Sequence, residues 1–293
     1  MEILQVQYHI VQRQRSADWE SHKKASGEVF LQVLEDGIRL VYRLPNAGSL
    51  CGLDEIRFMR NLDTAGKVAQ FRHFMPESLL SEAEFSKITI AVEPACFSLV
   101  PKNLFEATAA RDVLKLAGNL SEESEVFSEN SGNGAVLVFS LEKEWMDWAS
   151  HIFNPAELVW TTNFSGLLNT AYRAPEGAGF ISHISPGNIT CIYANQGQLF
   201  FLNRFPYRSE NDLLYFMLLS LEQCNLEAET HPIRLSGSIL PGSAGFEKLS
   251  RYAGNLSFTV PEEVDSLLPP AAGLRHPVFF DLLCLLNQKN KID

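Results

Sequence analysis

GFISHISPGNITCIYANQGQLFFLNRF, residues 179–205, is the stretch whose reading decides the fold. Its three short apolar runs are separated by Pro186-Gly187 and by Asn195-Gln196-Gly197. Both separators are tight-turn chemistry, so the stretch predicts an antiparallel three-stranded meander. Downstream, SENDLLYFMLLSLEQCN (209–225) reads as a helix, PIRLSGS (232–238) as a strand and SAGFEKLSRYAG (243–254) as a second helix. Ser209 is a good N-cap, with Asp212 three residues on as an acidic variant of the capping box. Leu213, Leu214, Phe216, Met217, Leu218, Leu221 and Cys224 surround most of that first helix. The pattern predicts burial on nearly all sides, between two lobes.

Moving upstream, the same order recurs. EVFLQVL (28–34) and IRLVYRLP (38–45) flank Glu35-Asp36-Gly37, and an Asp-Gly pair between alternating apolar runs signals a hairpin. EIRFMRNL (55–62) follows as a third strand, GKVAQFRHFM (66–75) as a helix and KITIAVEP (87–94) as a strand. Phe30 and Ile88 are 58 residues apart, Phe180 and Ile233 53. Similar order at similar spacing predicts two related halves. Before them, ILQVQYHIV (3–11) reads as an edge strand and RQRSADWESHKKASG (13–27) as a mobile connection.

Extra material separates the halves. Pro101 suits a first helical position, which predicts a helix running to Gly118. The acidic, Ser-rich segment 121–141 contains SGNG (131–134) as a hairpin tip. EKEWMDWASHIF (142–153) reads as a helix with Trp145, Trp148 and Ile152 near one face, a packing role; AELVWTT (156–162) reads as a strand and NFSGLLNTAYRA (163–174) as a helix. After a proline-rich connection (261–277), VFFDLLCLLN (278–287) is an apolar helix that must dock somewhere.

The chain has 293 residues, enough to bury about 75% of its unfolded surface. With 24 basic and 35 acidic side chains its formal charge is −11, which argues against nucleic acid or an anionic membrane as main partner. LLYFMLLSL (213–221) is about half of the roughly 20 residues a membrane crossing needs, and the first residues lack a signal peptide's order. A cytoplasmic protein is expected. Five widely spaced cysteines, Cys51, Cys96, Cys191, Cys224 and Cys284, suit reduced core thiols better than disulfides or a metal site. The seven histidines are scattered, and no HExxH, GxSxG, GxGxxG or GxxxxGK[ST] occurs.

LSGSILPGSAGFEKLSRYAGN, residues 235–255, resembles the adenosine-side motif of the actin-like ATPase superfamily, especially its type IV pilus assembly and divisome members. Glycine and serine there let backbone approach a nucleotide beside a helix start. Residues 193–227, YANQGQLFFLNRFPYRSENDLLYFMLLSLEQCNLE, with LVPKNLF (99–105), look like the DUF3822 family of Bacteroidetes proteins, a likeness running from about Glu28 to Phe258. The resemblance implies an α/β fold of duplicated ribonuclease-H-like lobes, each a mixed sheet of three antiparallel strands plus parallel strands flanked by helices. The first lobe is expected over residues 1–175, with an insertion at about 95–150, and the second over 176–293 with the terminal helix.

The departures from the superfamily pattern carry the functional expectation. The resemblance implies an Asp near the end of each first hairpin strand and a small residue in its turn, holding metal and phosphates. Gln32 and Leu34 stand at those places in the first half, His183 and Ser185 in the second. An amide and an imidazole are poor ligands for Mg²⁺, a hard cation that takes oxygen. The expected function is therefore a non-catalytic scaffold or partner-binding module with an unidentified protein partner, and self-association into dimers or filaments is a further possibility. The alternative is an ATP-binding or weakly hydrolysing protein, with Ser236, Gly237, Ser238 and Gly242 as the nucleotide loop. No metal or catalytic residue is expected.

Overall fold

The computed structural model describes residues 6–44, 50–131, 134–153, 156–174, 179–259 and 277–287. The expected positions 3–5 of the edge strand, the centre of the SGNG tip and the connection 260–276 lie outside them. In chain order the first half contains β1 (Tyr8–Arg15), α1 (Trp19–His22), β2 (Gly27–Val33), β3 (Gly37–Arg43), β4 (Leu50–Phe58), α2 (Thr64–Phe74), α3 (Leu79–Glu82) and β5 (Phe85–Val92). Next come β6 (Phe97–Pro101), α4 (Ala110–Ala117), β7 (Glu125–Asn130) and β8 (Ala135–Leu141), then α5 (Lys143–Ile152), β9 (Glu157–Thr162) and α6 (Ser165–Tyr172). The second half has β10 (Phe180–Ser185), β11 (Asn188–Asn195), β12 (Gln198–Pro206), α7 (Glu210–Gln223), β13 (Ile233–Gly237), α8 (Ala244–Ser250), β14 (Leu256–Phe258) and α9 (Phe280–Leu286).

Two mixed sheets repeat one plan. The first has the order β1-β4-β3-β2-β5-β9 and the second β12-β11-β10-β13-β14. In each, an antiparallel meander is joined at its first strand to two parallel strands. β1 is the addition, at the edge of the first sheet. The meander expected at 179–205 is present: Gly187 takes φ +78°, Gln196 +49° and Gly197 +73°, the left-handed conformations such turns require. Gly37 has a different use. Its φ is not in that region, and a Cβ there would lie 2.3 Å from the Ile56 carbonyl oxygen on β4.

Four expectations need correction. Residues 97–101 form β6 and the helix opens at Ala110, because Pro101 ends a strand paired to β8 and short 3-10 turns intervene. Segment 13–27 is anchored: Arg15 pairs with Asp54 and Glu82, and Trp19 is buried against Tyr42 and Gly52. α7 buries one stripe, Leu213, Met217, Ser220 and Leu221, while Tyr215 is 60% exposed. Nor does α7 lie between the sheets, since its buried stripe joins the core of the second sheet with Phe180, Ile189, Leu235 and Leu249.

The element in the central position is α9, all seven residues of which are buried. Leu282, Leu283 and Leu286 pack with Val41, Leu50 and Leu53 of the first sheet. Phe280 and Cys284 pack with Leu167, Leu168, Ile181 and Ile192, from α6 and the second sheet. α6 crosses α9 at Gly166, where a Cβ would stand 2.5 Å from the Cys284 backbone. Behind the first sheet, Phe71, Trp145 and Trp148 fill the core, as the sequence pattern of the tryptophans predicts. The third sheet, β6-β8-β7, comes from the segment between β5 and α5.

Candidate functional site

Strand register builds the site. Gln32 on β2 stands opposite Arg39 on β3, Arg39 opposite Glu55 on β4, and Glu55 opposite Gln12 on β1. Cross-strand neighbours share a face of the sheet, so these four side chains form one polar row. Gln12 Nε2 donates to Glu55 Oε2 at 2.8 Å, Arg39 Nε to Glu55 Oε1 at 3.1 Å, and Arg39 Nη1 to Gln32 Oε1 at 3.2 Å. On the second sheet the parallel pairing of β10 with β13 sets His183 opposite Ser236, with His183 Nδ1 3.0 Å from Ser236 Oγ.

Asp281 of α9 joins the two rows. Gln32 Nε2 donates to its Oδ2 at 2.6 Å and Arg39 Nη1 to its Oδ1 at 3.4 Å. His183 Nε2 is 3.7 Å from Oδ2, in ion-pair range but too far for a hydrogen bond. The Arg39 guanidinium also lies 4.6 Å from the Phe279 ring centroid. All of these groups are buried, and a charge so placed needs partners. Burial pulls the imidazole of His183 below its ordinary value; Asp281 opposes that and Arg39 adds to it.

The positions expected to hold phosphate thus meet a carboxylate of the chain itself. Gln32 and His183 are brought together through Asp281, and Ser236 joins them through His183. Ser185 is buried but apart, its Oγ donating to the Asn188 carbonyl at 3.4 Å. The expected nucleotide loop divides. Gly237, at φ +88°, sits so close to β10 that a Cβ would be 2.0 Å from the Ile184 carbonyl oxygen, and the Ser238 N–H donates to that oxygen at 2.6 Å. Ser238 and Gly242 are exposed, and nothing stands within 4 Å of a Cβ on Gly242.

Sequence reasoning missed Arg39 and Asp281. Asp281 left a signal, since it is a lone charge in VFFDLLCLLN. It also missed Glu93, just after β5, which lines a cavity of about 200 Å³ with Glu35, Lys67, Glu142 and Arg204. Burial raises the Glu93 carboxyl to about 7, partly opposed by Arg204, whose Nη1 is 3.9 Å away. Among the described residues no group of three or more His, Cys, Asp or Glu could hold a metal ion, and no helix is long and apolar enough to cross a membrane. A groove of about 770 Å³ runs between β6 and β12, the outer strands of two sheets, lined by residues 95–101 and 198–204.

Comparison with known proteins places this architecture. A crystal structure of a Bacteroides thetaiotaomicron protein with an actin-like ATPase fold and unknown function superimposes with a TM-score of 0.70 at 16% identity, covering 89% of this chain and 96% of that one. A chain of the PilM-PilN type IV pilus biogenesis complex gives 0.64 at 15% identity, covering 88% and 97%. The ethanolamine utilization protein EutJ of Carboxydothermus hydrogenoformans gives 0.50 at 10%, covering 89% of each. At these identities the likeness establishes the fold alone. No curated protein matches the sequence. The model of the DUF3822 family, described as a protein of unknown function, matches residues 16–256, a span that includes Gln32, Arg39, His183 and Ser236 and stops before Asp281. The chain belongs to the DUF3822 family and has the actin-like ATPase fold.

Proposed function

We propose that this chain is an actin-like module that does not hydrolyse nucleotide and works by binding a protein partner. One observation carries the reading: Gln32 and Arg39 from the first sheet and His183 from the second all face the Asp281 carboxylate. With α9 in place, that carboxylate takes the space a phosphate would need, and its negative charge repels one. The hairpin positions offer an engaged amide and an imidazole, so a hard cation finds no carboxylate from them. For the partner, the groove between the outer strands β6 and β12 presents two strand edges, the kind of surface an extended segment can join. The similarity to a chain of the PilM-PilN complex supports a partner-binding use of this fold. The test is ATP turnover with Mg²⁺; none is expected, and turnover that Gln32 or His183 variants abolish would overturn the reading.

A second reading is nucleotide binding without turnover, favoured by the exposed Ser238 and Gly242 beside the left-handed Gly237. A rise in melting temperature with ATP, lost in Gly242→Val, supports it. No shift excludes it.

A further inference from the structure

The groove between β6 and β12 has an apolar floor and two open edges. Phe97 and Leu99 of β6 and Leu199 and Leu202 of β12 pack on one shared core, while Val100 and Phe201 pack into two others. Side chains of each strand are thus engaged by more than one core. What each strand leaves free is its backbone edge, since both stand at the end of their sheets. Arg204 fixes one end of the groove: its Nη2 donates to the Pro94 carbonyl at 2.6 Å, and the guanidinium lies 5.9 Å from the Phe97 ring centroid. Open edges normally carry charges that keep other strands away. β6 reads FSLVP without a charge, and β12 reads QLFFLNRFP with Arg204 alone, which is already engaged. Phe200 is the extra residue of a β-bulge, unmatched where Tyr193 faces Phe201 and Ala194 faces Leu199. It lines the groove, 60% exposed, with its ring centroid 5.6 Å from that of Tyr193. Bulges in such places re-aim a side chain beside a site. Charge narrows the occupant. No acidic residue lines the groove although the chain has 35, and exposed Lys102, which follows β6, has no ion pair among the described residues. A second copy would set a formal charge of −11 against the same charge.

We propose that the groove takes one extended segment of a different protein as an added strand between β6 and β12. The segment is apolar at alternate positions, matches the length of the two lining stretches, about five to seven residues, and carries a carboxylate for Lys102. This rests on the partner-binding reading above and deepens it by giving the site and the chemistry of its occupant.

The test selects displayed random heptapeptides on the full chain, with Phe200→Asp as the counter-selection. Enriched sequences are expected to alternate apolar residues, to lack proline and to carry Asp or Glu. Synthesised and labelled, they should bind the parent about tenfold more tightly than Phe200→Asp, and several-fold more tightly than Lys102→Glu. Hydrogen exchange of the complex should show added protection at 97–101 and 198–204. Both substituted residues are exposed, so both variants are expected to melt with the parent; should Phe200→Asp fail to fold, Lys102→Glu serves as the counter-selection. Peptides that bind while leaving those amides unprotected overturn the groove and leave the partner-binding reading standing. No enrichment over the counter-selection overturns the proposal. So does protection of the same amides that rises with protein concentration in the absence of peptide, which assigns the groove to a second copy. ATP turnover, measured apart, sinks the non-hydrolysing half of the reading and leaves peptide binding untouched.

Discussion

Half-buried Glu93 and buried His183 have titrations that push stability in opposite directions. The folded state holds the Glu93 proton up to about 7, against 4.5 for the free group. Between those values the unfolded chain has released a proton that the folded chain keeps, so this residue costs stability as pH rises through the window. Glu93→Gln is expected to raise the melting temperature above about pH 7 and to flatten that part of the profile; an unchanged profile by calorimetry would count against the assignment. For His183 the folded value lies below 6.5, so its contribution is lost as pH falls below that point, when the unfolded chain takes up a proton the folded one resists. His183→Gln should remove that acid-side loss. Arg39→Met leaves Asp281 and Glu55 without their shared partner and is expected to cost about 3–5 kcal/mol, part of which Asp281→Asn in the same chain restores. Urea melts of the two single variants and the double variant measure the coupling. Gln32 and His183 were singled out in the sequence by setting the two first hairpins against the actin-like superfamily pattern, which marks their positions and says nothing of their partners. Asp281 was not, because its partner is 249 residues away and no local pattern encodes such a meeting.

At the scale of elements, α9 was visible as a helix and invisible as a keystone. Its apolar run declared a need to be buried, but periodicity says nothing about which surface accepts it. The same gap explains α7, where apolar residues surround the helix yet one stripe alone reaches full burial; Phe216 instead stacks on Phe205 at 4.6 Å between centroids, half-buried at the flank. The opening of α4 was misplaced for a different reason. Pro101 fits a helix start and equally the end of an outer strand, and pairing of β6 with β8 decides between them. The contact of α6 with α9 gives a direct test. Gly166→Val drives a side chain into the Cys284 backbone, so a loss of about 1–3 kcal/mol is expected. Hydrogen exchange should show Phe280–Leu286 losing protection while β10 and β11 keep theirs. Uniform loss across the chain would mean that α9 is not a separable element.

Across the whole molecule, the duplicated strand order was legible because turn chemistry and apolar runs recur in both halves, while the way the halves meet was not. They share α9, whose leucines serve the first sheet and whose Phe280 and Cys284 face α6 and the second. A common core of this kind couples their unfolding. A single calorimetric transition is expected, with van't Hoff and calorimetric enthalpies equal, and Gly166→Val should separate it into two. The shared helix also has a consequence for synthesis. Gln32 leaves the ribosome 249 residues before Asp281, which at about 5–20 residues per second is a wait on the order of tens of seconds. Late in that interval the nascent chain carries Val41, Leu50, Leu53, Ile181 and Ile192 without the helix that covers them. A nascent chain that has emerged past Ile192 but not yet past α9 is therefore the form most in need of a chaperone.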